Sequence, residues 1–179
     1  FPLNFEIPAY LGKEDSYFVI EGDEYDTAFF DKRAKFLHYL PQILVITSLE
    51  YDHSDIYSSL QEIEKTFHLL LRIVPSRGLV ILCNDNHART LKQHCFSTYQ
   101  LYGISDNAEW RVITEIDSEE NMMKLHVLYK DKELCVLRTK LFGIHNALNI
   151  LCAVAVANEI GIPINSIVDG IEAFRGVRR

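Results

Sequence analysis

Apolar residues in this chain fall into two kinds of pattern. Tyr17-Phe-Val-Ile20, Ile43-Leu-Val-Ile46, Leu79-Val-Ile-Leu-Cys83 and Thr98–Tyr102 are short aliphatic, β-branched or aromatic runs, and each predicts a buried strand. Between the second and third runs, Ile63, Phe67, Leu70, Leu71 and Val74 recur at helical spacing and give one apolar face. Ser58 or Ser59 is placed to cap that helix, Glu62 stands at capping-box spacing from Ser59, and Pro75 and Gly78 stop it. Asn84-Asp85-Asn86 predicts a turn and cap ahead of a short helix over Ala88–Cys95. Thr27–Leu40 mixes aromatics and bases and reads as a short helix or irregular, ended by Pro41. Alternating strand and helix predicts an α/β fold, a mostly parallel sheet with helices on both faces.

Beyond Gly103 the period changes. Glu109–Ile116, Met122–Tyr129 and Glu133–Leu141 read as strands, with Lys130-Asp131-Lys132 as a hairpin turn. Met123, Leu125, Val127 and Tyr129 alternate with polar positions, as in an antiparallel strand with one wet face, so a small antiparallel sheet appended to the main one is expected. Gly143-Ile-His-Asn146 opens the longest helix, which runs to about Glu159 and stops at Gly161 and Pro163. Ser166 is expected to cap a last helix reaching Phe174.

Composition narrows the function classes. The 179 residues are enough for one domain with a substantial core. A net charge of −7 argues against non-specific binding to nucleic acid or to an anionic membrane, both of which need a basic face. It leaves room for a polyanion accompanied by Mg²⁺. Cys83, Cys95, Cys135 and Cys152 are scattered without a C-x-x-C pair, so neither a zinc site nor a disulfide framework is indicated, and reduced thiols fit a cytoplasmic protein. The start has neither the charge nor the apolar core of a signal peptide, and no apolar run is long enough to span a bilayer. Beginning without Met in what looks like mid-fold sequence, the chain reads as a fragment.

Three stretches carry candidate chemistry. Glu21, Asp23, Glu24 and Asp26 follow the first apolar run, where ligands of open α/β sheets bind and where hard oxygen donors suit Mg²⁺; a solvated acidic turn is the plainer alternative. Asp52 and His53 lie in the loop after the second run, so His53 is either a surface histidine or a partner of Glu21 at the same sheet edge. His145, Asn146 and Asn149 stand at a helix N-terminus, which favours an anion or polar ring, unless Asn146 merely caps the helix. Gly12-Lys13 is followed by Glu14 and preceded at the required spacing by Ile7, so it is not a phosphate loop.

Taken together, Glu21-Gly-Asp-Glu-Tyr-Asp26, Glu50-Tyr-Asp-His53, Gly143-Ile-His-Asn-Ala-Leu-Asn149 and Phe174-Arg-Gly-Val-Arg-Arg179 resemble, in order, four stretches of the central domain of the Mur ligases, ATP-dependent amide-bond ligases of bacterial cell-wall synthesis. The resemblance implies a P-loop-NTPase-like sheet, with residues 1–179 forming part of the central ATPase domain. It implies that Glu21 and His53 hold Mg²⁺ between ATP phosphates and a substrate carboxylate. His145, Asn146 and Asn149 would line the adenine side, and Arg178 and Arg179 the phosphate end. The run Asp23–Arg33 is most similar to the branch that joins UDP-N-acetylmuramate to the murein peptide L-Ala-γ-D-Glu-meso-diaminopimelate. The branch that adds L-alanine is a close sibling, and a non-catalytic nucleotide-binding module is the alternative from another class. Three features depart from the family pattern. The phosphate loop is absent, together with the N-terminal UDP-sugar and C-terminal amine-binding domains. The helix containing Glu64-Lys-Thr-Phe-His-Leu69 offers no aligned lysine for carbamylation. The paired arginines sit one residue closer to Phe174 than usual.

Overall fold

A computed structural model describes residues 3–4, 12–13, 16–49, 57 and 59–177. Strands β1 (Asp26–Ala28) and β2 (Asp31–Ala34) form a small antiparallel ribbon, followed by a 3₁₀ turn over Lys35–His38. The main sheet has six strands in chain order: β3 (Ile43–Ile46), β4 (Leu79–Cys83), β5 (Thr98–Gly103), β6 (Trp110–Asp117), β7 (Met122–Tyr129) and β8 (Lys132–Thr139). Pairing is parallel from β3 to β6 and antiparallel from β6 to β8. The helices are α1 (Leu60–Ile73), α2 (Ala88–Leu91), α3 (Ile144–Glu159) and α4 (Ile164–Glu172).

This is the expected α/β fold, and the antiparallel strands are appended to the parallel ones in a single sheet. Strand β4 shows why both faces carry helices. Val80 and Leu82 join one core with Ile63, Phe67, Leu70 and Leu71 of α1. Leu79 and Ile81 join the other with Ala147, Leu151 and Val154 of α3 and Ile167 of α4. A strand covered on both faces has no wet position to mark with a polar residue, hence the unbroken apolar run.

The two halves of the sheet meet at a short seam. Strands β5 and β6 share only Tyr102↔Trp110 and Gly103↔Arg111. Trp110 is fully buried, pairs with Tyr129 on its other side, and donates its indole N–H to Gln100 Oε1 at 2.6 Å. Glu109 lengthens the seam: its carboxylate accepts the Leu101 N–H at 2.8 Å, and its carbonyl accepts the Lys130 N–H at 2.8 Å. The β7–β8 turn places Lys130 and Asp131 at φ 49° and 63°, the left-handed pair a two-residue hairpin requires.

Three expectations are corrected. Tyr17–Ile20 is not a buried strand; its side chains are 64%, 58%, 88% and 49% exposed. An apolar run becomes a strand only when a neighbour takes up its backbone groups. Here β3 is the edge of the sheet, with no ladder to this run, and a cavity of about 210 Å³ is lined by Tyr17 together with Gln42, Ile43 and Leu79 at the amino ends of β3 and β4. Thr27–Leu40 is mainly the β1–β2 ribbon, because Lys32–Asp26 (2.7 Å) and Thr27 Oγ1 to the Arg33 carbonyl (2.9 Å) are satisfied across strands and not along a helix. Ser166 lies inside α4, whose N-cap is Pro163, since the fixed φ of proline already sets the helix entry three residues earlier than expected.

A histidine pair pins the 3₁₀ turn Lys92–His94, which follows α2, to α1. The His68 ring stacks on His94, centroids 3.7 Å apart, and His68 Nε2 is buried without a hydrogen-bond partner among the described residues. One turn earlier Glu64 faces His87 at 3.5 Å, so His87 is not the free surface histidine its loop position suggests. Burial pushes the His68 pKa below its ordinary value; neighbouring His94 acts in the same direction and Glu64 opposes. The unfolded chain therefore binds a proton at this site more readily than the folded one. That contribution is present in full above the unfolded value of about 6.5, declines below it, and is lost as pH falls through the lower folded value. The His68 contribution is expected to lower Tm on acidification from about pH 7.5 to about pH 5.5, and His68→Gln to remove that part of the slope. Equal slopes in the two proteins would remove His68 from the account.

Candidate functional site

The strand directions define one chemically equipped edge. Strand β6 runs with β5, and β8 runs with β6 after two antiparallel steps, so β8 ends at the edge where the parallel strands have their carboxyl ends. Helix α3 therefore starts at that edge. Gly143 makes the entry with φ 98°, a conformation that disfavours any other residue. Helix α1 starts at the same edge, in the connection from β3 to β4.

The acidic stretch is tied to this edge by a residue that pattern reading passed over. Tyr57, just before α1 and buried, donates its hydroxyl to the Glu24 carbonyl at 2.9 Å. Burial raises the Tyr57 pKa, which keeps the phenol protonated as the donor. The only signal available for it in the sequence is an aromatic inside a polar loop.

The four carboxylates of the stretch, and Asp31 beyond it, have different surroundings. Asp23 accepts the Tyr25 N–H at 2.7 Å and pairs with Lys35 at 3.0 Å. Asp26 pairs with Lys32 at 2.7 Å. Arg33 donates to Asp31 at 2.9 and 2.7 Å and holds that carboxyl well below the usual range. Glu21 is exposed and has no hydrogen bond or ion pair among the described residues. The plain solvated turn thus describes Asp23 and Asp26, whose local cations answer their charge. Glu21 and Glu24, whose side chains have no hydrogen bond or ion pair among the described residues, are the carboxylates left to meet a ligand, and Glu21 is the more exposed of the two.

Of the other expected site residues, His145 and Asn149 are exposed on the first turns of α3, one turn apart on a shared face. Asn146 Nδ2 donates to the Phe142 carbonyl at 2.7 Å, so the side chain braces the loop before the helix and does not cap its N–H groups. No hydrogen bond or ion pair joins the α3 stretch to Glu21 among the described residues. His53, Arg178 and Arg179 lie outside the described residues, and so does the expected convergence of His53 with Glu21.

A Mg²⁺ ion fits this donor set in kind. Magnesium needs one or two carboxylates and completes its shell with phosphate and water, and Glu21 offers a hard oxygen donor free of local cations. No group of three or more metal-capable side chains occurs among the described residues, which disfavours an all-protein cage. The thiols are not candidates: burial pushes Cys152 up to about 11 and raises Cys83, so both stay protonated beside the buried Tyr102. No helix among the described residues is long and apolar enough to cross a membrane.

Comparison with known proteins places this geometry. Residues 4–157 match the model of the Mur ligase middle domain. The chain is 40% identical, over 99% of its length, to the UDP-N-acetylmuramate–L-alanyl-γ-D-glutamyl-meso-2,6-diaminoheptandioate ligase of Escherichia coli K12, and spans 38% of that protein. It is 32% identical over 98% of its length to the UDP-N-acetylmuramate–L-alanine ligase of Endomicrobium trichonymphae, spanning 37% of it. Among solved structures, the UDP-N-acetylmuramate:L-alanyl-γ-D-glutamyl-meso-diaminopimelate ligase of Neisseria meningitides superposes with a TM-score of 0.87 at 35% identity, covering the whole of this chain and 56% of that one.

Proposed function

Because the chain belongs to the Mur ligase family through its middle domain, we propose that it is the central ATP-handling domain of a murein peptide ligase of peptidoglycan recycling in the cytoplasm. The observation that carries this reading over the L-alanine ligase is the difference in identity, 40% against 32%, over almost the same stretch of chain. The chain spans well under half the length of these relatives, so the phosphate loop, the UDP-sugar domain and the amine-binding domain are assigned to the rest of the protein.

In the full-length enzyme ATP phosphorylates the lactyl carboxylate of UDP-N-acetylmuramate. The amine of L-Ala-γ-D-Glu-meso-diaminopimelate then attacks the acyl carbon; the new C–N bond forms as the C–O bond to phosphate breaks, and the amine loses a proton. Mg²⁺, when bound, reduces the repulsion between the carboxylate and the γ-phosphate. The residues of this chain supply position and electrostatics. Glu21, with His53, holds the metal side. His145, Asn146 and Asn149 orient the nucleotide at the start of α3, and Arg178 and Arg179 meet its phosphates.

A direct test offers the full-length protein UDP-N-acetylmuramate, Mg-ATP and equal amounts of L-alanine and the tripeptide, with products weighed by mass spectrometry. The tripeptide adduct is expected to predominate. A predominant L-alanine adduct would assign the protein to the sibling branch.

A further inference from the structure

The β1–β2 ribbon ends in Phe29 and Phe30, which are 93% and 91% exposed. The turn itself does not need them: neither residue has positive φ, and small polar residues turn such ribbons with less apolar area in water. Nor is the tip loose. Lys32 pairs with Asp26, Arg33 grips Asp31 through two nitrogens, His38 reaches Asp31 at 3.2 Å, and Thr27 Oγ1 bonds the Arg33 carbonyl. The Lys32 ammonium stands 5.8 Å from the Phe29 ring. Two rings on a ribbon fixed by its own ion pairs form a pre-organised apolar anchor, which binds with little ordering cost.

Size decides what covers them. A stable interface between separate proteins buries about 800 Å² on each partner, which two phenylalanines at a ribbon tip do not supply. A domain of the same polypeptide is present at high effective concentration, so a small anchor suffices to dock it. The chain spans 38% of its E. coli relative and 56% of the Neisseria structure, so such relatives carry ample further chain. The ribbon begins at Asp26, the last carboxylate of the acidic stretch, so the tip is carried on a short arm that leaves that stretch directly.

We propose that Phe29 and Phe30 are the anchor on which a neighbouring domain of the full-length ligase docks, an apolar pocket of that domain receiving both rings. This rests on reading the chain as one domain of a ligase.

Hydroxyl-radical footprinting of the unmodified full-length protein tests it without relying on catalysis. Phe29 and Phe30 should be oxidised at least about fivefold more slowly than in the urea-unfolded protein, independently of protein concentration, because a packed interface core excludes water. Oxidation at the unfolded rate would overturn the proposal. Protection that disappears on dilution, as sedimentation shows dimers separating, would also overturn it, since a second copy would then be the cover. Phe29→Ser/Phe30→Ser, confined to exposed side chains, should speed proteolysis between the domains about tenfold, the loss expected of an aromatic hot-spot pair. An unchanged rate would mean the tip anchors nothing. A protected tip in a protein without ligase activity would overturn the ligase reading alone, and a bare tip in an active ligase the docking alone.

Discussion

In the full-length ligase, Glu21→Gln is expected to lower kcat by at least about a hundredfold, the scale of losing one electrostatic contact made in the transition state. The amide keeps the shape of the side chain but removes its charge, and with it the donor that a hard cation prefers. Tm should hardly move, because Glu21 is exposed and makes no hydrogen bond or ion pair among the described residues. His53→Ala should act alike, and the double variant should cost little more than either single one if both serve one metal–phosphate assembly. Glu159→Gln makes the same chemical change at the last, exposed residue of α3, the end away from the candidate edge, and should leave kcat unaltered. Near-normal turnover of Glu21→Gln at saturating Mg-ATP would remove the metal role from this residue.

The second large effect is on folding. Trp110→Ala is expected to destabilise the domain by about 3–5 kcal/mol, the range for emptying a large buried aromatic site. Against a typical domain stability of about 5–15 kcal/mol this is a large share. The position makes the change worse than an ordinary cavity. Trp110 occupies one of the two residue pairs that join the parallel and antiparallel halves, packs on Tyr129 at 4.3 Å, and gives Gln100 its hydrogen bond. Trp110→Phe refills most of the volume but leaves Gln100 Oε1 without its donor, so it should cost less than alanine and more than nothing. Urea unfolding followed by circular dichroism ranks the three proteins, and a Trp110→Ala midpoint equal to the parent would show that the seam does not depend on the ring.

Much of this architecture is legible in residue pattern. The apolar runs of β3, β4 and β5 are bounded by polar turns, α1 carries its stripe, and β7 alternates, so element type and order follow from period alone. Pairing is less accessible. Tyr17–Ile20 has the composition of an interior strand but no ladder partner, and composition does not say which neighbour a run will find. The β1–β2 ribbon escaped because its strands are short and their stabilising contacts, Lys32–Asp26 and Arg33–Asp31, are side-chain pairs that leave no hydrophobic period. The seam hangs on Glu109 standing in for a ladder partner of Leu101, which no local pattern announces. At the candidate site the spacing of Glu21, Asp23, Glu24 and Asp26 marked the stretch as chemically special. Only coordinates separate Asp23 and Asp26, answered by lysines, from Glu21 and Glu24, and only coordinates show Tyr57 holding the stretch to the edge.

The central claim is that this domain works in an ATP-driven ligation and not in nucleotide binding alone. The most direct measurement is ADP release by the full-length protein with Mg-ATP, UDP-N-acetylmuramate and the L-Ala-γ-D-Glu-meso-diaminopimelate tripeptide, each omitted in turn. Sustained release is expected only with all three present, in step with adduct formed, because the acyl phosphate turns over only when the amine arrives. Release at the same rate without either acceptor, or none in the complete mixture despite bound nucleotide, would contradict it.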